Sequence, residues 1–390
     1  MRVLFVTHNI PRAPGDAAGS FVLRLAAALR TAGHDVRALA PHAEGLADRD
    51  EIDGVPITRV HYAAPARETL AYTGTMAEAV RASWGARGAL LGLIRAMARA
   101  TRQWMRGEGD AGWRPDVLHA HWWFPSGLAL VTPTRPSTPF VVTMHGSDVR
   151  LARTVPGGGL LAGHVLHRAR VRTAVSTWLA RQAERFHGGP VEVAPMPIDL
   201  TRFTPDPPLA REERSLLFVG RLNRQKGVAQ LLDAFAAQSA QTRLTIVGDG
   251  PDRAALHAHA RALGVFDRIH WIGAVTQPGL PELYRRASLV VMPSIQEGLG
   301  LVGVEAQACG TPVVGFASGG LPDVVAHETT GLLVPEGDTR ALAGALGALL
   351  DDPARRTAMA HAGLAHVAER FAPARVAARY AAYYEQAISR

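Results

Sequence analysis

At 390 residues, with 47% hydrophobic residues, 39 glycines and 26 prolines, the chain exceeds what one hydrophobic core accommodates and reads as a two-domain α/β protein with many tight turns. A net charge of +8 and a pI of about 10.4 favour anionic partners, but no zinc-finger spacing, aromatic RNA-binding strand or long basic run accompanies them, so nucleic acid is not expected. No apolar run approaches the ~18 residues of a membrane span, and the single cysteine, Cys309, excludes intrachain disulfides and a thiolate metal site; the expected location is cytoplasmic.

The opening RVLFVTHNIP is apolar for five residues before polar groups and a proline, which predicts a strand over 3–7 and not a signal peptide. A turn-rich loop over 11–20 leads to a helix over 21–32, stopped by Gly33, and a strand over 35–40. Gly19, at the start of that helix, would let backbone approach a phosphate closely; a plain βα turn is the alternative. Residues 42–113 read as a long irregular and helical region. Within it, Leu90, Ile94, Met97, Thr101 and Trp104 form one stripe at helical spacing, flanked by Arg95, Arg99, Arg102 and Arg106. Such a basic amphipathic helix either covers the first sheet or rests on an anionic membrane. Asp48-Arg49-Asp50 spells D-x-D, a metal motif of a different transferase fold, in what reads as a polar loop; it is treated as chance.

DVLHAHWW over 116–123 reads as a strand, and so does 140–144, which ends in His145-Gly146-Ser147-Asp148. Ligands of open parallel sheets sit beyond the carboxyl ends of strands. His121, Trp122, Trp123 and Asp148 are therefore candidate acceptor contacts, although tryptophan more commonly packs a domain face. His119 and His121 share a strand face, but no third ligand joins them, so no metal is expected there. Strands over 172–176 and 191–194 complete the first half, and the proline-rich stretch 195–208 reads as an interdomain connection.

The alternation then restarts. A strand over 216–219 runs into Gly220-Arg221-Leu222-Asn223-Arg224-Gln225-Lys226-Gly227 and a helix over 228–237. Lys226 is the single lysine among 42 Lys and Arg. An arginine fork and a compact ammonium side by side suit a diphosphate. The segment is not a P-loop, since the glycine before the lysine and the Ser/Thr after it are missing. A strand over 244–247 leads to GDGPDR, where Arg253 stands in place of the third glycine of a dinucleotide fingerprint. A strand over 269–272 precedes the 273–277 turn.

The run 288–292 reads as a buried parallel strand, followed by a turn with Glu297, Gly298 and Gly300, a helix over 301–309, the stop Gly310-Thr311-Pro312 and a strand over 313–316. Free N–H groups at Leu301 and Val302 and the positive end of the helix dipole favour an anion. Glu297 lies in the loop, and Glu305 lies roughly 8 Å along the helix. A diphosphate at the helix start would thus have a carboxylate on each side, each suited to accept from hydroxyls. An ordinary βαβ unit with two surface glutamates is the alternative. A Gly319-Gly320 turn, the segment 331–335 and three Ala-rich helices follow, the last over 373–388 with Tyr380, Tyr383 and Tyr384.

The E-x7-E pair Glu297/Glu305, with EGLGLV between and EAQACGTPVV after, resembles the donor-site motif of retaining GT-B-fold glycosyltransferases of the family 4 type. The Gly220–Gly227 segment resembles that family's G-R-x4-K-G, and the T-x-H-G at His145 its histidine loop. Two departures stand out: Ala18-Gly19 replaces Gly-Gly, and Met196-Pro197 replaces an Asn-Gly whose backbone a proline cannot copy. The resemblance implies two Rossmann-like domains facing across an interdomain cleft. Their bounds would be 1–198, a linker at 199–214 and 215–374, with 375–390 packing back on the first domain.

It also implies transfer of a hexose from a nucleotide diphosphate sugar to an acceptor hydroxyl with retention, without a metal or other cofactor. UDP-sugar is favoured and GDP-mannose is the alternative; the acceptor would be a glycan, lipid or small molecule. Arg221 and Lys226 would hold the diphosphate with Gly19, Gly220, Gly298, Gly300, Leu301 and Val302. Val275 would lie near the base, Glu305 at the ribose, and Glu297 and His145 at the sugar. A sugar-nucleotide epimerase and a non-catalytic protein at the inner membrane face remain alternatives, and a dehydrogenase is least favoured.

Overall fold

The computed structural model describes residues 1–389 except 73–75, 111, 133–135 and 208, with the backbone alone at 77 and 78. Contacts divide it into two compact units, Met1–Pro197 with Pro373–Arg390, and Ile198–Ala372.

The first unit holds strands β1 Arg2–Val6, β2 Asp35–Pro41, β3 Arg49–Ile52, β4 Val55–Val60, β5 Val117–His121, β6 Phe140–Met144, β7 Val171–Ala174 and β8 Glu192–Val193. They form one sheet in the order β3-β4-β2-β1-β5-β6-β7-β8. Every pairing is parallel except β3 with β4. Val3, Leu4, Phe5 and Val6 are fully buried, as expected of a central strand covered on both faces. Each such side chain contributes about 1.5–3 kcal/mol by leaving water.

Three expectations need correction here. The region 42–113, of which 73–75 and 111 lie outside the described residues, is not merely irregular and helical. Val55, Ile57 and their partners make a hairpin, β3–β4, around Asp53 (φ 51°) and Gly54 (φ 72°). Asp-Gly with both residues left-handed is a two-residue hairpin turn, a signal in the sequence that helical periodicity further on obscured. Arg49 and Asp50 therefore belong to a strand and not to a polar loop. The strand expected over 116–123 ends at His121, because Trp122 takes a positive φ of 67° and turns the chain into a short helical segment, Trp123–Gly127.

The basic stripe lies in helix Trp84–Arg106, where Ile94, Met97, Thr101 and Trp104 are buried against the unit. Its apolar face is already covered by protein, which leaves no support for a membrane-resting face. Among the described residues no helix is long and apolar enough to cross a membrane. Helix Pro373–Ser389 also belongs to this unit: Tyr380 donates to Ala194 O at 3.0 Å, and Tyr384 meets His119 Nδ1 at 2.8 Å.

The second unit holds β9 Ser215–Val219, β10 Arg243–Val247, β11 Ile269–Gly273, β12 Leu289–Met292, β13 Val313–Phe316 and β14 Gly331–Val334. All are parallel, in the order β11-β10-β9-β12-β13-β14. Strand order reverses between β9 and β12, and in the first unit between β1 and β5. Such switch points open a crevice at the carboxyl ends of the strands. The stretch 199–214, expected as a linker, is built into this unit. Phe203 is fully buried, and the Arg211 guanidinium donates to Ala287 O and Thr311 Oγ1 at 2.8 Å and also to Gly310 O. Pro208, part of the expected connection, lies outside the described residues.

Candidate functional site

In the second unit the loops leaving β9 and β12 are tied to each other. Ile295 N–H donates to Gln225 O at 2.8 Å, and Gln225 Nε2 to Gln296 O at 3.3 Å. Asn223 Oδ1 accepts from Lys226 N–H at 3.2 Å and shapes the turn. Gly227 (φ 66°) lies so close that a Cβ there would stand 2.0 Å from Pro293 O; only glycine permits this approach. On the other side, a Cβ on Gly319 would come within 2.3 Å of Glu297 O, and Gly320 N–H donates to that carbonyl at 2.8 Å.

Held from both sides, Glu297 meets the chain's one ammonium, with Lys226 Nζ to Glu297 Oε2 at 2.6 Å. Their side chains are 23% and 16% exposed, so the pair is reachable but largely shielded from water. The Lys226 stem passes 3.7 Å from the Cβ position of Gly220, and Arg221 beside it is exposed. Gly298 and Gly300 (φ 96°) lead into helix Leu301–Ala308, whose first N–H groups, at Leu301 and Val302, have no intrahelical acceptor. Lys226, Glu297, Gly220 and the helix start are thus brought together by β9 and β12.

Glu305 behaves differently. It is 5% exposed and accepts from Tyr284 OH at 2.9 Å. Burial and the neighbouring Glu305 carboxylate push the Tyr284 phenol well above its ordinary range. Val275 sits in the turn after β11, with β10 and β9 between that strand and β12. Tyr284 and the Gly319 clamp carry no sequence signal of their own beyond the Gly-Gly turn.

In the first unit, imidazoles gather at the carboxyl ends of β1, β5 and β6. Phe5 packs against His119 and His121 at ring separations of 4.9 and 4.7 Å. His119 lies between Thr143 Oγ1 at 2.7 Å and Tyr384 OH at 2.8 Å. His121 Nδ1 meets His145 Nε2 at 3.1 Å, and Trp122 packs on His145 and His8, each at 4.4 Å. Burial holds His119, His121 and His145 well below the ordinary histidine range, reinforced by neighbouring imidazoles; it lowers His8 to about 4. All four are neutral at neutral pH. His8, at the end of β1, went unnoticed in the sequence because a lone histidine after a strand carries no spacing signal.

Of the four acceptor candidates, the structure uses two as framework. Asp148 is 2% exposed, and its carboxylate accepts from the N–H groups of Gly146, His145 and Trp123 at 2.9, 3.1 and 3.2 Å. Trp123 Nε1 donates to Asp148 O at 2.7 Å. A carboxylate surrounded by backbone donors closes a loop, so neither residue faces an acceptor. His121 and Trp122 are buried as well, 0% and 5% exposed, while His8 and His145 are the partly exposed imidazoles of the group. Gly19 (φ 66°) starts helix Ser20–Thr31, and its Cβ position is 2.4 Å from Asn9 O, so its glycine serves close backbone packing. Three buried polar atoms here, His8 Nδ1, Asn9 Oδ1 and His121 Nε2, have no hydrogen-bond partner among the described residues.

Comparison with known proteins agrees with this division. The family model for the glycosyl transferase 4-like domain matches residues 17–199, and that for glycosyl transferases group 1 matches 201–366. A D-inositol 3-phosphate glycosyltransferase of Xylanimonas cellulosilytica is 33% identical over 328 residues, covering 77% of this chain and 76% of the relative. A glycogen synthase of Mycobacterium tuberculosis is 31% identical over 384 residues, covering 91% and 87%. Among solved structures, a sucrose-phosphate synthase from Thermosynechococcus elongatus superposes with a TM-score of 0.81 at 24% identity, over 100% and 99% of the two chains. The Anabaena protein HepE, in complex with UDP-glucose, gives 0.72 at 18% over 99% of each. The fold class is GT-B.

Proposed function

The chain belongs to the group 1 glycosyltransferases with a 4-like first half, and on that premise we propose that it moves a hexose from a nucleotide diphosphate sugar to an acceptor hydroxyl with retention and without a catalytic metal. The observation that carries this reading is the Lys226–Glu297 pair beside the start of helix Leu301–Ala308. In the transition state the sugar turns cationic while the departing diphosphate gains negative charge. Lys226, Arg221 and the Leu301 and Val302 N–H groups supply the positive potential for that diphosphate. As the ammonium engages phosphate, Glu297 is freed to accept from sugar hydroxyls, so the ion pair is exchanged for two substrate contacts.

Glu305, anchored by Tyr284, is assigned to the ribose, and the neutral His145 to the sugar as a hydrogen-bonding partner. The bond between the anomeric carbon and the β-phosphate oxygen breaks, and the acceptor oxygen bonds to the same face of that carbon. The leaving phosphate takes the acceptor's proton, so no protein nucleophile is assigned. For the acceptor, the partly exposed His8 and Asn9 that follow β1 favour a polar, hydroxyl-bearing molecule at the first unit.

Thermal-shift screening against UDP-, GDP- and ADP-sugars tests the donor, since a ligand selective for the folded chain raises its melting temperature. The Anabaena protein was solved with UDP-glucose, which supports testing UDP-hexoses first. A shift with one of them, followed by an acceptor-dependent product of retained anomeric configuration, is expected. Conversion of donor without acceptor would reveal an epimerase, and no shift with any donor would overturn the reading.

A further inference from the structure

Away from these strand ends, the first unit gathers a second group of imidazoles around a carboxylate. His42 follows β2, His61 follows β4, and Glu68 follows the short helical turn Pro65–Arg67. One donor atom from each lies within 4.8 Å of the others. His42 Nδ1 is 2.5 Å from Glu68 Oε2, and His61 Nδ1 is 3.1 and 3.2 Å from the two Glu68 oxygens. His42 and the Glu68 side chain are buried, while the His61 side chain is half exposed.

The remaining ring nitrogens identify where the protons are. His42 Nε2 faces Leu46 O at 2.8 Å, and His61 Nε2 faces Asp48 Oδ1 at 2.9 Å. A carbonyl and a carboxylate only accept, so each Nε2 carries the hydrogen. In neutral imidazoles both Nδ1 atoms then present lone pairs to an acceptor-only carboxylate. Glu68 Oε1 already takes the Tyr62 N–H at 2.9 Å. A positive centre between the three donor atoms relieves this mismatch, and the two rings already stand only 3.9 Å apart around it. One divalent ion satisfies all three at once, and Glu68 and Asp48 balance its charge.

We propose that His42 Nδ1, His61 Nδ1 and a Glu68 carboxylate oxygen form a binding site for a zinc-class divalent ion, which pins the segment 61–70 to the ends of β2 and β4. The donor set, two imidazoles and a carboxylate, suits such an ion. Donors at ~2.05 Å in a tetrahedron stand roughly 3.3 Å apart; the His61–Glu68 separations of 3.1 and 3.2 Å are close to this, and the 2.5 Å His42–Glu68 contact would open on binding. Leu46 O and Asp48 orient the rings from behind, as the outer partners of ligating histidines do. The half-exposed side of His61 leaves a fourth position to water. The sequence held no hint of this site, because its ligands follow β2, β4 and the Pro65–Arg67 turn with no motif spacing. It is structural and independent of the transfer reaction.

The test strips the full chain with chelator, then titrates it with Zn2+ by calorimetry and with Co2+ by visible absorption. One equivalent with tetrahedral Co2+ bands, and a melting temperature raised by Zn2+, is expected. Sixteen histidines can bind metal loosely, so the variants decide. His61→Ala, at a half-exposed side chain, should abolish the stoichiometric site, and Asp48→Asn should weaken it about 10–100-fold. If the unaltered chain takes up no equivalent and nitrogen-15 spectra instead show two imidazolium rings, the site does not exist. Binding by His61→Ala equal to that of the unaltered chain would overturn the proposal just as firmly.

Discussion

The two units share a strand order around their switch points yet fill the strand ends with opposite chemistry. After β1, β5 and β6 the chain collects imidazoles that burial keeps neutral, enclosed by Phe5, Trp122 and Tyr384. After β9 and β12 it collects an ammonium, an exposed guanidinium and a carboxylate, clamped by glycine turns. One scaffold therefore offers an uncharged hydrogen-bonding surface in one unit and a charged one in the other. In the first unit two of the imidazoles, His119 and His121, come from β5 itself, whereas in the second Lys226, Arg221 and Glu297 all come from the loops that follow β9 and β12.

The sharpest way to separate the units is pH. Folded His8, His119, His121 and His145 have pKa values below the unfolded value of 6.5. On acidification from 6.5 toward about 4, the unfolded chain takes up protons that the folded chain refuses. Each such group then removes up to about 1.4 kcal/mol of stability per pH unit. Calorimetry at pH 7 and pH 5 should show the first unit losing stability much faster than the second, and parallel loss would erase the contrast.

Next in size, Lys226→Ala and Glu297→Ala should each reduce turnover by about 10²-fold or more, the scale of losing one charge-stabilising group. Steady-state nucleotide release measures this, and near-normal rates in either variant would remove both residues from the reaction. Gly227→Ala should cost about 1–3 kcal/mol in chemical denaturation, since alanine strains the left-handed backbone against Pro293 O.

The smallest effects compare two phenols. Tyr284→Phe takes a hydroxyl from a carboxylate and should cost about 1.5–3 kcal/mol, while Tyr384→Phe takes one from a neutral imidazole and should cost about 0.5–1.5 kcal/mol. Denaturant titration of both variants ranks them. A reversed order would mean that the charged and neutral sites are not held as described.

Much of this was legible from the chain alone. β13 falls on 313–316 as read, and the ends of β2, β9, β10, β11 and β12 fall within a residue, because buried parallel strands are continuous apolar runs bounded by glycine or proline. The sequence marked Lys226, Arg221 and Glu297 through local spacing. It did not reveal that Lys226 and Glu297 pair, since 71 positions separate them and only tertiary contact joins them. Asp148 and Trp123 look like ligand contacts in a linear reading, because nothing local announces that three backbone N–H groups close on one carboxylate. The hairpin at Asp53-Gly54 shows the reverse: its signal was local and strong but short. The 42/61/68 group lay beyond any periodicity argument.

The return of helix Pro373–Ser389 to the first sheet has a consequence for biosynthesis. His119 waits for a hydroxyl that the ribosome makes 265 positions later, roughly 10–50 s at ordinary elongation rates. The unit translated first is therefore completed last, and the intervening 198–372 segment can close its own core while its predecessor is still unfinished. A truncated transcript ending before 373 would yield a sound second half beside a first half whose histidine layer is uncapped.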